Sequence, residues 1–165
     1  MPKLFEEACK TDDENVVNHY LENATPIVPI EIRNDQSLSG LMIASAAGSL
    51  KVCKLFVFKK CNLEAEDPNG RTSLYFAARN GHTAIIKYLV TQKANIETKT
   101  NQGWTALHSG ALNGHLDTVK FLVENGAEKE AKGNQGATPL HLSAHIGHLE
   151  TVKIVFLPES SYLCL

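Results

Sequence analysis

Positive charge is in short supply in this 165-residue chain: Lys and Arg number 16 against 18 Asp and Glu, for a formal net charge of -2. A polyanion-binding protein needs a basic footprint, so neither nucleic acid nor an anionic membrane surface is expected as a partner. Long apolar runs are missing too. Nothing approaches the ~18 consecutive apolar residues of a bilayer-spanning helix, and no apolar h-region follows the first residues. We therefore expect an intracellular, cytoplasmic protein, with the nucleus open to it. Cysteine is sparse: Cys9, Cys53, Cys61 and Cys164 form no C-x-x-C pair, the pattern of free thiols in a reducing compartment rather than of a disulfide or metal framework. Motifs of catalysis are absent as well. There is no Gly-x-Ser-x-Gly elbow, and Gly133-Asn-Gln-Gly136 lacks the Lys and the preceding strand of a phosphate loop.

What the chain does have is one 33-residue sentence repeated. Asp67-Pro-Asn-Gly-Arg-Thr-Ser-Leu-Tyr-Phe-Ala-Ala-Arg-Asn-Gly-His is answered by Thr100-Asn-Gln-Gly-Trp-Thr-Ala-Leu-His-Ser-Gly-Ala-Leu-Asn-Gly-His. Gly70, Gly103 and Gly136 keep that period, as do Thr72, Thr105 and Thr138, Leu74, Leu107 and Leu140, and His82, His115 and His148. A fixed period of this length signals stacked units. Thr72 and Thr105 are N-cap candidates, Pro139 suits a first helical position, and Gly81, Gly114 and Gly147 are free to close the first helices with positive φ. Second helices follow, with Ile85, Ile86, Leu89 and Val90 in one unit and Val119, Phe121, Leu122 and Val123 in the next. Each helix is too short to stand alone and must be held by stacking.

Thr138-Pro-Leu-His-Leu-Ser-Ala, with weaker copies Thr105-Ala-Leu-His-Ser-Gly-Ala and Thr72-Ser-Leu-Tyr-Phe-Ala-Ala, resembles the signature of the ankyrin repeat family. The resemblance implies an all-α, ankyrin-like helix-turn-helix solenoid with β-hairpin loops. On that frame, residues 1–33 are a degenerate N-terminal capping repeat with a Pro-containing loop. Residues 34–66, 67–99 and 100–132 are three repeats, and 133–165 an incomplete repeat with a non-repeat tail. The tail either folds back over the last unit or marks a piece of a longer array, with exposed apolar surface expected at that end.

Seven histidines raise the question of a metal. His141, His145 and His148 have roughly the spacing, but Leu142 stands where a zincin has Glu, and Gly147 ends the helix between the last two. His108 and Ser109 are adjacent on a helix, so their side chains do not face each other. We expect no enzyme, no cofactor and no metal, and expect the repeated histidines to bond backbone within and between units. Lys54, Lys87, Lys120 and Lys153 form one stripe and Glu64, Glu97 and Glu130 another, each read as a solvated face.

Stacking fixes what a repeat must keep, so positions that vary between units are free for a partner. The resemblance places them at the hairpin tips and the exposed end of the first helix. They are Arg71, Tyr75, Arg79 and Asn80, then Asn101, Gln102, Trp104, Leu112 and Asn113, then Asn134, Gln135, His145 and Ile146. Trp104, the single Trp, leads as an anchor because Trp and Arg dominate binding energy; packing on its own hairpin is the other reading. The expected function is a non-catalytic protein-protein interaction module with a rigid concave surface, probing one protein partner as a monomer unless its C-terminal end self-associates. The alternative is a structural spacer, a fragment of a longer array with no partner of its own.

Overall fold

The computed structural model describes residues 3–23 and 32–156. Within them lie helices α1 (Lys3–Lys10), α2 (Glu14–Asn23), α3 (Gly40–Ala47), α4 (Leu50–Phe58), α5 (Ser73–Arg79), α6 (Thr83–Thr91), α7 (Ala106–Leu112), α8 (Leu116–Glu124), α9 (Pro139–Ile146) and α10 (Leu149–Phe156). They work in pairs. The first helices pack in a row, α1 on α3, α3 on α5, α5 on α7 and α7 on α9, and the second helices α2, α4, α6, α8 and α10 form a parallel row behind them. The Pro-containing loop from Ala24 and the tail from Leu157 lie outside the described residues.

The local chemistry is the same in each unit. Thr72 and Thr138 are extended N-caps whose hydroxyls accept from the amides of Tyr75 and His141. Small residues then let the first helices approach: Ala77, Ala78 and Ala111 are fully buried. Gly81 shows why the turn after α5 needs glycine. Its φ is 73°, and a Cβ there would sit 2.6 Å from His115 Nδ1. That ring belongs to the next unit, where His115 Nε2 donates to the carbonyl of Arg79 over 2.9 Å. His82 and His148 reach back in the same way to Ala46 and Leu112. The repeated histidines thus fasten each unit to the one before.

The core runs without a break from Phe5 and Val17 through Val52, Phe56, Ile85, Ile86, Leu89, Val119 and Leu122 to Val155. Cys53 takes the place of Ile86 and Val119 as a fully buried residue. Burial pushes the Cys9 and Cys53 thiols up to about 12, which leaves them protonated and unreactive at neutral pH.

Two expectations change. The loops return on themselves without forming strands: among the described residues the one β-bridge joins Arg33 and Ser39. Each tip is closed by a pair of backbone bonds: the amides of Asp67, Thr100 and Gly133 donate to the carbonyls of Arg71, Trp104 and Ala137, and the amides of Gly70, Gly103 and Gly136 donate back to those of Asp67, Thr100 and Gly133. Successive tips are tied by Asn101 N–H to Asn69 and Asn134 N–H to Gln102, 2.9 Å each. The Glu row is not merely a solvated face. Glu64 accepts from the Asn95 amide at 2.7 Å and the Thr98 hydroxyl at 2.9 Å, and Glu97 accepts from the Glu128 amide at 2.9 Å. A carboxylate one unit away therefore satisfies the loop amides of the next. The Lys stripe does face solvent, with Lys54 over the Tyr88 ring and Lys87 over Phe121.

Ser73 is the exception in the pattern. Its hydroxyl is buried and makes no hydrogen bond, which costs about 1–3 kcal/mol. The equivalent first helical positions hold Gly40, Ala106 and Pro139. Thr72, at φ -94° and ψ 172°, already has the extended backbone that a following proline demands. Ser73→Ala and Ser73→Pro are expected to raise unfolding free energy by about 1 kcal/mol, read by urea denaturation; a loss in both would show that the hydroxyl is satisfied in solution.

Candidate functional site

Between the units at 67–99 and 100–132 the loop tips and first helices enclose a concavity of about 350 Å³. Asn69, Arg71, Tyr75 and Arg79 form one wall, and Thr100, Asn101, Gln102, Trp104, Ser109, Leu112 and Asn113 the other. The 33-residue period puts these walls in register. Arg79 and Leu112 are equivalent positions on α5 and α7, and Arg71 and Trp104 are equivalent positions on neighbouring tips.

The two arginines differ in what they are free to do. Arg71 holds Asp67 with Nη2 at 2.6 Å and Nε at 2.8 Å, and its guanidinium lies 4.9 Å from the Phe76 ring centroid. Asp67 is buried, its side chain only 1% exposed. Burial raises its pKa, but the Arg71 side chain and the amides of Arg71 and Asn69 outweigh that and hold the carboxyl below its usual value. The Arg71 charge is therefore compensated inside its own loop. Arg79 is exposed and engages the chain through its carbonyl. Among the described residues its guanidinium has no ion pair or hydrogen bond.

Trp104 is half-buried. Its amide donates to the Thr100 hydroxyl at 3.2 Å, and its ring is stacked near His108, with centroids 6.3 Å apart and planes at 9°. The other contact is with Gly133, where a Cβ would come within 2.8 Å of Cδ1 and 2.9 Å of Nε1. Trp104 thus has a packing duty on the next tip and also lines the concavity. His108 beneath it is fully buried. Its Nδ1 accepts from the Thr105 amide at 3.1 Å, which leaves Nε2 to donate to the Ala137 carbonyl at 3.2 Å.

The remaining sequence candidates lie elsewhere. Asn80 donates to the carbonyls of Ala46 and Phe76, and Asn134 to that of Asn101, so both serve the stack. Gln135 is exposed on the last tip, and His145 and Ile146 are exposed at the end of α9. Thr100 and Ser109, overlooked in the sequence, line the concavity as largely buried hydroxyls. Their positions vary between units, Asp67, Thr100 and Gly133 in one case and Phe76, Ser109 and Leu142 in the other, and that variation was the available signal.

A family model described as Ankyrin repeats (3 copies) matches residues 5–97, 41–133 and 98–161. The chain belongs to the ankyrin repeat family. A comparison with curated proteins found no match. Ankyrin repeat domains are generally non-catalytic and mediate protein binding, and the array has the ten paired helices of that architecture. Among the described residues no helix is long and apolar enough to cross a membrane. Nor do three His, Cys, Asp or Glu side chains gather there as a metal site would require.

Proposed function

We propose that this ankyrin array is a non-catalytic binding module that seats a segment of a protein partner in the concavity between α5 and α7. The observation that carries the reading is that Arg79, Trp104 and Leu112, which differ from their equivalents in neighbouring units, line one groove. An aromatic and an aliphatic side chain surrounded by Asn and Gln is the make-up of an interface centre with its polar rim. Packing on Gly133 orders the indole before a ligand arrives, which lowers the entropy lost on binding. Peptides selected from a displayed random library on the wild-type protein are expected to bind at least about tenfold more weakly to Trp104→Ala. Lys153→Ala, on the opposite row of helices, should bind them unchanged. Equal binding by all three proteins, with circular dichroism showing the fold intact, would remove the groove from the account.

A second reading, a spacer within a longer array, is favoured by the last unit. Ile146 is 52%, Leu149 72% and Phe156 70% exposed. That reading expects the same selection to yield no peptide sensitive to Trp104.

A further inference from the structure

Resting on the groove reading above, we infer that the segment bound there is an extended acidic peptide, with one carboxylate on Arg79 and an apolar side chain between Trp104 and Leu112. The residues lining the concavity include two guanidinium groups and no carboxylate. One guanidinium is already matched to Asp67. The other, on Arg79, is exposed and uncompensated among the described residues, so the groove presents one net positive charge. A single carboxylate matches it, and a planar guanidinium suits a carboxylate bidentately. A polyphosphate backbone would need many more cations than this, from a chain whose net charge is -2.

The repeat also sets a spacing. Arg79 and Leu112 sit one unit apart on the packed helices α5 and α7, and packed helices lie about 8–10 Å from axis to axis. An extended chain covers that span in about three residues, at 3.3–3.6 Å each. The expected ligand therefore carries Asp or Glu and, about three positions away, Leu, Ile, Phe or Met. The beginning of the groove at Arg79 is polar and its continuation at Trp104 and Leu112 apolar, so a peptide with the pair reversed has to enter with its chain direction reversed.

Fluorescein-labelled octapeptides with one Glu and one Leu separated by one to five residues, in both orders on a Gly/Ser/Ala background, test this by fluorescence anisotropy against the full chain. The tightest binding is expected at a separation of about three. Arg79→Gln should weaken it about tenfold, the effect of losing a hydrogen bond to a charged group, while leaving the Gln-substituted peptide unchanged. Arg79→Glu should reverse the preference toward a Lys-containing peptide. If peptides bind in a Trp104-dependent way without any preference for Glu over Gln, the acidic inference falls and the groove reading stands. If no peptide of the set binds and the random-library selection is also insensitive to Trp104→Ala, both fall. A labelled oligonucleotide that binds the groove and displaces the Glu peptide would likewise overturn the carboxylate assignment.

Discussion

Gly40→Ala is expected to lower unfolding free energy by about 2 kcal/mol, and Phe56→Leu introduced beside it to restore most of the loss. Gly40 begins α3 and is buried. A Cβ there would meet the Phe56 ring, with Cε1 and Cε2 each at 2.9 Å and Cζ nearer still. That ring has no room to retreat: Phe56 is fully buried, and Phe5 packs edge-on against it with centroids 6.3 Å apart. Overpacking of this kind costs about 1–3 kcal/mol, whereas the helical preference for Ala over Gly returns at most about 1. The steric term wins. At the equivalent positions the array divides the bulk differently, Ala106 with Leu122 and Pro139 with Val155, so the double variant recreates the Ala and Leu combination found two units away. Urea denaturation of the wild type, both single variants and the double closes a double-mutant cycle. Additive losses would show that Gly40 and Phe56 do not compensate each other.

That compensation explains why the unit at 34–66 opens with Ser39-Gly-Leu-Met where the last unit has Thr138-Pro-Leu-His. The substitutions are coupled through space. Gly40 makes room for Phe56, and Met42 stands in for the His, its Sδ accepting from the Ser39 amide at 3.4 Å. Pairs such as 40 with 56 do not announce themselves when positions are compared one column at a time.

The fold itself was legible because stacking repeats its requirements: the same Thr, Leu, Gly and His return every 33 residues, each answering the same backbone need. The groove was legible in part for the converse reason. Arg79, Leu112 and Trp104 differ from their equivalents, and all three line the concavity. The asparagines are different. Asn80 and Asn113 are equivalent to each other, as are Asn101 and Asn134, and residues that return in register serve the stack. Asn101 and Asn134 donate to the carbonyls of Pro68 and Asn101, one unit back in each case. Arg71 was out of reach for another reason. Its pairing with Asp67 depends on how tightly the tip closes, and the same loop position holds Trp104 and Ala137 in units that lack the aspartate. The Glu row recurs because Glu64 and Glu97 serve the amides of the following loop, a role that charge periodicity alone does not separate from a solvated face.

His108→Leu is expected to cost about 3 kcal/mol at pH 7 and to flatten the acid side of the stability profile. Leucine fills much the same volume but cannot accept from the Thr105 amide or donate to the Ala137 carbonyl. Thr105 is buried, so its orphaned amide alone costs about 1–3 kcal/mol, and the bond to the next unit goes with it. Burial is the main reason the His108 pKa lies below its ordinary value; Lys99 adds to the shift, and the bonds to Ala137 and Ala131 oppose it. The sign then follows. Above the unfolded-chain value near ~6.5 both states are neutral and the contribution is whole. As pH falls through that value toward the lower folded one, the unfolded chain takes up a proton that the folded chain refuses, and stability declines by up to about 1.4 kcal/mol per pH unit for one proton. His108→Met separates the two effects. The thioether can receive the Thr105 amide, as Met42 receives that of Ser39, so this variant should lose less stability at pH 7 than His108→Leu while sharing its reduced slope. Urea midpoints at pH 7.5, 6.5, 5.5 and 5.0 for the three proteins give the comparison. A slope in both variants as steep as in the wild type would assign the acid sensitivity to other groups and make the buried imidazole a packing residue alone.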